Sequence, residues 1–355
     1  MPEIDYLEQS RGVSMKLFKK EGADIGIDLG TANVLIYRQG EGIILNQPSI
    51  VAVDKLTKKV IAVGEEAYSM IGRTNNNIEL IRPLKDGVIA DFDVTCEMIK
   101  IFLNKVDSRK LIKLNQPKIL ICCPTNITSV ERDAIAKVAE LAGASEVFIQ
   151  EEPKVAAVGA GLSVFEPLGN MVIDIGGGTT DIAVLSMGEI VNSSSLKVAG
   201  DLLTQDINDY VKNKYQLLIG TRMSESVKIE LGTALNPDEN HKMTITGRDL
   251  IQGLPKKIEI SEVDVYEALK GSIDRIVNET KSVLETTEPE LSSDIIEQGI
   301  FLTGGGAVLS GLDTYIEQCI GVPVYVAEDP LNAVVKGTGT LLELNADPNS
   351  PVCLV

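Results

Sequence analysis

The chain has 355 residues, 44% of them apolar, and its 51 acidic against 33 basic side chains give a formal net charge of −18. That length accommodates two domains of ordinary size, and the acidic balance argues against nucleic acid as the main partner, because such a partner needs a basic footprint. The five cysteines (Cys96, Cys122, Cys123, Cys319 and Cys353) are odd in number, scattered and without C-x-x-C spacing, which points to a reducing cytosol and away from a disulfide framework. The start, Met1-Pro2-Glu3-Ile4-Asp5, is acidic where a signal peptide would be basic. No run of ~18 apolar residues offers a membrane-spanning helix, and Cys353 stands one residue too late for a prenylation box.

Along the chain, residues 1–22 are polar, and 24–53 read as short strands joined by turns. A short helix is expected over 64–71, a loop with turn chemistry over 82–87, and a helix over 95–106 with Met98, Ile99, Phe102 and Leu103 as its apolar stripe. A buried strand at 118–122 ends at Pro124; Cys122 and Cys123, adjacent in it, should point to opposite faces and both belong to the core. A helix over 129–141, capped by Thr128 or Ser129, a strand at 147–149 and the start of a helix at Lys154 follow. The second half repeats the rhythm: strands over 171–198, helices over 202–214 and 224–231, a strand pair at 242–246 and 256–260, a long helix over 263–284, a strand at 299–303 and a last helix over 333–344. His241 lies in a polar stretch and reads as surface. Mixed strands and helices without a low-complexity linker imply α/β domains packed together.

One phrase is written twice. Asp28-Leu29-Gly30-Thr31 recurs 146 positions on as Asp174-Ile175-Gly176-Gly177-Gly178-Thr179-Thr180-Asp181, each copy between two apolar, strand-like runs. Glycines let a turn's N–H groups converge on an anion, and an Asp beside such a nest repels phosphate unless a cation intervenes. Each copy therefore suits half of a Mg²⁺–polyphosphate site, and two facing copies would clamp one nucleotide; the bland alternative is a pair of ordinary hairpins. Asn33 adds a side-chain contact at the first turn, Thr179 and Thr180 hydroxyls at the second. Gly304-Gly305-Gly306-Ala307 follows a strand, so a flat ring could lie against its backbone, unless it is a simple strand-to-helix turn. Glu152, just after a strand, could orient or deprotonate a water, or serve only as a helix N-terminal acid. Neither G-x-x-x-x-G-K-[ST] nor G-x-G-x-x-G occurs, which disfavours both common nucleotide folds.

At these residues the chain resembles the actin–Hsp70–sugar kinase superfamily, and within it the MreB bacterial actins, including the paralogues of helical wall-less bacteria. The resemblance covers about 24–345 and is carried by Ile27 to Asn33, Arg82 to Asp91, Ile149 to Pro153, Val172 to Thr180 and Leu302 to Ala307. It implies an α/β, actin-like ATPase fold: two ribonuclease H-like domains around a nucleotide cleft, each with a smaller inserted subdomain. The divisions expected are an extension over 1–23, a domain over 24–160 with its insertion at roughly 50–90, a domain over 161–345 with its insertion at roughly 200–258, and a tail over 346–355.

The family's roles carry over by position. Asp28 and Asp174 would hold Mg²⁺ through water. Gly30, Thr31, Ala32 and Asn33, with Gly176, Gly177, Gly178 and Thr179, would bind the phosphates of ATP or ADP. Glu225 and Lys228 would meet the ribose and base, and Gly200, Gly304, Gly305, Gly306 and Ala307 would complete that pocket. Glu152 matches the water-activating acid and Thr179 its partner. Val34 and Lys154 depart from the family pattern, and Lys154 is expected to lower the pKa of Glu152.

The resemblance also implies homopolymeric double protofilaments, sister bacterial actins as further partners, and a place in the cytoplasm, peripheral at the inner face of an anionic membrane. Two basic-apolar segments suit membrane contact: one with Leu17 and Phe18 among lysines, the other with Leu111 and Ile112 after Arg109 and Lys110. The second could instead pack inward beneath the strand at Lys118. The leading functional reading is a filament-forming ATPase acting in cell shape. A small-molecule, sugar-type kinase of the same fold is the alternative, though no sugar-recognition cluster is evident. A chaperone-type ATPase is disfavoured, since the sequence ends near the end of the ATPase fold.

Overall fold

Two five-stranded sheets of the same topology organise the computed structural model, which describes residues 24–106, 117–125, 127–141 and 143–346. In the first half β1 (Ile25–Leu29), β2 (Asn33–Arg38) and β3 (Gly42–Pro48) form an antiparallel meander. A small sheet of β4 (Val51–Asp54), β5 (Val60–Val63) and β6 (Ile78–Ile81) follows, with α1 (Glu65–Ser69) between its last two strands. Next come a hairpin, β7 (Leu84–Lys85) and β8 (Val88–Ile89), and helix α2 (Phe92–Val106). Strands β9 (Lys118–Cys123) and β10 (Glu146–Glu151), separated by α3 (Ser129–Leu141), extend the large sheet in parallel beyond β1, and α4 (Glu152–Gly159) leaves β10 directly.

The second half repeats this plan. The meander is β11 (Asn170–Ile175), β12 (Thr180–Ser186) and β13 (Glu189–Leu196). Helices α5 (Gly200–Tyr215) and α6 (Thr221–Leu231) accompany a second small sheet of β14 (Leu217–Leu218), β15 (Lys242–Asp249) and β16 (Pro255–Ser261). After α7 (Glu262–Glu285) and α8 (Pro289–Gln298), β17 (Ile300–Thr303) and β18 (Val324–Val326) extend the large sheet in parallel beyond β11, with α9 (Leu312–Ile320) between them and α10 (Ala333–Ala346) after them.

The local chemistry explains these elements. Strand β11 is buried along its whole length, as a strand covered on both faces requires, so its Met171-Val172-Ile173 run shows no polar alternation, and Asp174 is buried with it. The predicted α2 stripe is buried, Met98 and Phe102 completely. Thr128 caps α3 in a reciprocal box: its hydroxyl accepts the Glu131 N–H at 3.2 Å while its own N–H donates to Glu131 Oε2 at 2.7 Å. The expected loop over 82–87 is in fact the β7–β8 hairpin, because Asp86 and Gly87 both adopt positive φ, 51° and 78°, the requirement of a tight two-residue turn.

Each large sheet has its own core, and a third cluster joins the halves. Cys122 and Cys123 are both buried and serve different clusters, as their opposite faces demand. The joining cluster surrounds the crossing of α4 and α10. The helices cross through glycine: a Cβ on Gly159 would lie 1.8 Å from the Ala333 carbonyl oxygen, and one on Gly337 1.9 Å from that of Val155. α4 packs on β11 and β12 of the second half, and α10 returns to pack on β1, β2 and β9 of the first. Among the described residues no helix is long and apolar enough to cross a membrane.

Candidate functional site

Each large sheet presents its first hairpin turn to the other. Asp28 sits opposite Leu35 across β1 and β2, and Asp174 opposite Asp181 across β11 and β12, so the two turns occupy equivalent registers. They meet face to face: a Cβ on Gly177 would lie 2.6 Å from that of Ala32, and one on Gly178 2.6 Å from Thr31 Oγ1. Only glycine admits so close an approach. The second turn is closed by the Gly176 N–H donating to the Thr179 carbonyl at 2.9 Å, and the first residues of α5 brace it, Gly200 and Asp201 donating to the carbonyls of Gly176 and Gly177. The β7–β8 hairpin braces the first turn, its Gly87 N–H donating to Thr31 Oγ1 at 3.2 Å.

A cavity of about 750 Å³ lies between the halves, within the range of small-ligand sites. Gly30, Thr31, Ala32, Asn33, Gly176, Gly177, Gly178, Thr179, Gly200, Glu225, Lys228, Gly304, Gly305, Gly306, Asp28, Asp174 and Glu152 all line it. Ala307 does not: its side chain turns into the core of the second half at 2% exposure, so the glycine triplet meets the cavity without it. On the α5–α6 side Lys228 is tied down: its Nζ donates to the Gly200 carbonyl at 2.9 Å and Thr204 Oγ1 at 3.0 Å, and pairs with Glu225 Oε2 at 2.8 Å. Thr204 in turn donates to Glu225. This places a fixed carboxylate and ammonium at the cavity wall, suited to a polar ribose and base.

The floor is strongly acidic. Burial and the neighbouring Asp174 push Asp28 up to about 7. Burial pushes Asp174 to about 6, although its Oδ1 accepts from the Thr303 hydroxyl at 2.8 Å. Glu152, heading α4, is pushed well above the carboxylate range by burial and then by Asp181, Asp28 and Asp174. The expectation that Lys154 depresses Glu152 is not met. Lys154 points to Glu189 across the halves at 3.6 Å, and its field acts on Glu151. Carboxylates gathered without a basic side chain among them fit a divalent cation. Among the described residues no three His, Cys, Asp or Glu side chains are close enough to ligate one directly.

Sequence reasoning missed the groups that reach across the cleft. Arg222 on α6 lies over the ring of Tyr68 on α1, 5.2 Å from its centroid, and both line the cavity. Arg82 approaches Asp201 at 3.8 Å and Lys197 approaches Asp86 at 4.0 Å. No periodicity or spacing signals such pairs, since each joins the two halves. Asp181 stands in the repeated phrase, but nothing in its spacing assigns it a role; only its complete burial singles it out. The membrane-contact candidates Leu17, Phe18, Leu111 and Ile112 lie outside the described residues.

Comparison with known proteins agrees with this geometry. The family model described as MreB/Mbl protein matches residues 22–350. The cell shape-determining protein Mbl of Bacillus cereus is 58% identical over 320 residues, 90% of this chain and 96% of the relative. Among solved structures, MreB5 of Spiroplasma citri bound to ADP superposes with a TM-score of 0.86 at 39% identity, covering 91% of this chain and 96% of its own. The MamK double helical filament shares the fold alone, with a TM-score of 0.77 at 20% identity over 91% of this chain and 99% of its own.

Proposed function

The chain belongs to the MreB/Mbl family, an actin-like, nucleotide-binding cytoskeletal group that determines cell shape, and from that premise we propose that it polymerises with ATP and hydrolyses it in the cleft. The observation that carries this reading is the arrangement of the cavity wall, with Glu225 and Lys228 on the α5–α6 side, the two glycine turns, and both the acid Glu152 and Thr179 lining the same cavity. ATP would lie with its base and ribose against α6 and the glycine triplet, and its phosphates between the turns.

Hydrolysis is a displacement at the γ-phosphorus. Glu152 and Thr179 hold a water there; its oxygen bonds to phosphorus, the bond to the bridging oxygen breaks with ADP taking the electron pair, and the water's proton passes to Glu152. Burial raises the affinity of Glu152 for a proton, and the charge of a bound cation would favour the ionised form that accepts it. Asp28 and Asp174 would hold Mg²⁺ through water, and the ion supplies charge neutralisation at the phosphates. Residues 24–160 and 161–345 serve as the two domains that the nucleotide bridges. The relatives lend nothing to the small-molecule kinase alternative.

Assembly would be into paired protofilaments of this chain, alone or with sister actins, lying on the inner face of the cell membrane. Segments around Leu17 and Phe18 and around Leu111 and Ile112 supply the basic-apolar contact. High-speed pelleting with and without Mg-ATP, with negative-stain imaging, tests the assembly: paired filaments that depend on nucleotide support it, and a protein that binds ATP yet stays in the supernatant on lipid as well as off it refutes it. Glu152→Ala should retain nucleotide and release phosphate at least ~100-fold more slowly; an unchanged rate removes Glu152 from the chemistry.

A further inference from the structure

Arg222 on α6 rests on an aromatic ring from the opposite half of the chain. Among the described residues its guanidinium has no carboxylate partner and no hydrogen-bond acceptor; what it meets is the ring of Tyr68 on α1, 5.2 Å from the centroid. The Tyr68 hydroxyl also bonds nothing among those residues, so the face of the ring is the part in use. A planar, weakly hydrated guanidinium suits such a face, and the attraction extends to about 6 Å.

The place of the pair gives it a task. α1 lies in the small sheet of the first half, between β5 and β6, and α6 accompanies that of the second. Both side chains line the cavity and are partly exposed, whereas Thr31, Asp174 and Thr179 are buried. The contact therefore bridges the two walls on the solvent side of the cavity. Two ion pairs also cross between the halves, closer to the turns: Asp201 donates its N–H to the second turn, and Asp86 neighbours Gly87, which braces the first. At 3.8 Å from Arg82 to Asp201 and 4.0 Å from Lys197 to Asp86, with all four side chains exposed, these pairs are weak and screened by salt. A guanidinium stacked on a ring depends less on ionic strength, because part of its attraction is dispersion and apolar contact.

We infer that Arg222 and Tyr68 form a latch across the mouth of the cleft, holding the two walls together over bound nucleotide and setting how fast it leaves. The inference rests on the reading that nucleotide occupies this cavity and does not need the hydrolysis reading. It assigns the latch to the ring face and the guanidinium, not to the phenol hydroxyl and not to the ion pairs beside it.

The test is the release of radiolabelled ADP into an excess of unlabelled ADP, with the full chain kept below the concentration at which it pellets, for wild type, Tyr68→Leu, Arg222→Gln, the two combined, and Tyr68→Phe. Tyr68→Leu and Arg222→Gln should each speed release about threefold to tenfold. The double variant should be no faster than the faster single one, since the two side chains act as one contact. Tyr68→Phe, which keeps the ring, should stay within about twofold of wild type. Raising salt from about 50 mM to about 0.5 M, which screens the ion pairs, should leave the ratio of variant to wild type in place. Arg222→Gln gives the same answer should Tyr68→Leu fail to fold. Release by both single variants within about 1.5-fold of wild type, additive gains in the double variant, Tyr68→Phe as fast as Tyr68→Leu, or a ratio that falls to one at high salt overturns the latch, while nucleotide binding in the cavity stands. A wild type that retains no ADP overturns both.

Discussion

Replacing Asp174 with asparagine should make the nucleotide-free protein more stable, and the gain should depend on pH. In the folded chain Asp174 titrates at about 6 against an ordinary 3.8, because burial outweighs the Thr303 hydrogen bond. A folded pKa above the unfolded one means that the native state holds the proton more tightly. The stability this provides is complete below about pH 4 and is lost as pH rises through about 6. At about 1.4 kcal/mol per pKa unit, a difference of about two units sets an upper bound of about 3 kcal/mol on that loss. The asparagine would keep an oxygen to accept from Thr303, bonded at 2.8 Å in the native protein, and would relieve Asp28, whose own pKa of about 7 owes part of its rise to the Asp174 charge. After relaxation about 1–2 kcal/mol should survive at pH 7.5, a rise of roughly 1–3 °C in melting temperature for a chain of this length. The chain has no Trp, so unfolding is best followed by circular dichroism, from pH 5 to 8 without nucleotide. The difference should shrink toward pH 5, where wild type is itself protonated, and reverse under saturating Mg-ATP, which stabilises only the form that binds it. An apo variant no more stable than wild type at pH 7.5, or a gap indifferent to pH, would refute the view that these acids are assembled at the expense of stability to receive a cation.

Other perturbations probe other parts. Lys228→Ala removes the ammonium that ties Glu225, Thr204 and the Gly200 carbonyl together, so affinity for ADP should fall about tenfold, read by isothermal calorimetry, with little change in melting temperature. Gly337→Ala drives a methyl into the Val155 backbone and should cost about 3 kcal/mol or more in urea unfolding, whereas Gly40→Ala, with open space at a positive φ, should cost about 1 kcal/mol. Leu111→Ser with Ile112→Ser should reduce co-sedimentation with anionic liposomes several-fold; unchanged sedimentation would favour the inward-packing alternative for that segment.

The fold is legible wherever one element speaks for itself. The α2 stripe, the α3 cap and the repeated turn are local patterns, and the shared order of strand, acid, glycine turn and strand in both copies already implies two equivalent hairpins. The β7–β8 hairpin escapes because its turn depends on Asp86 accepting a positive φ, a freedom that aspartate shares only weakly with glycine. Its place after the glycines assigns Ala307 to the pocket, but a one-residue step in a 3-10 turn points it at the core. Sequence adjacency ties Lys154 to Glu152, yet neighbours at the start of a helix diverge, and the partner of Lys154, Glu189, comes from the other half. The pairs across the cleft and the complete burial of Asp181 are products of tertiary assembly, and no spacing in the chain encodes them.

The glycine crossing of α4 and α10 acts as a fulcrum. The two helix backbones meet at two contacts one turn apart, Gly159 with Ala333 and Gly337 with Val155, so rotation about this short region would cost little packing whereas sliding would bring backbone into collision. Displacement about such a point grows with distance from it. Glu152 heads the very helix that carries Gly159, and so barely moves. Tyr68 and Arg222 ride on α1, which packs on β3, β4 and β5, and on α6, which packs on α5, α7 and β15, away from the crossing helices, and so would travel farthest. On the proposed function, the mouth would then open to exchange nucleotide while Glu152 and the two turns at the floor stay assembled, so that a turnover would not have to rebuild the site.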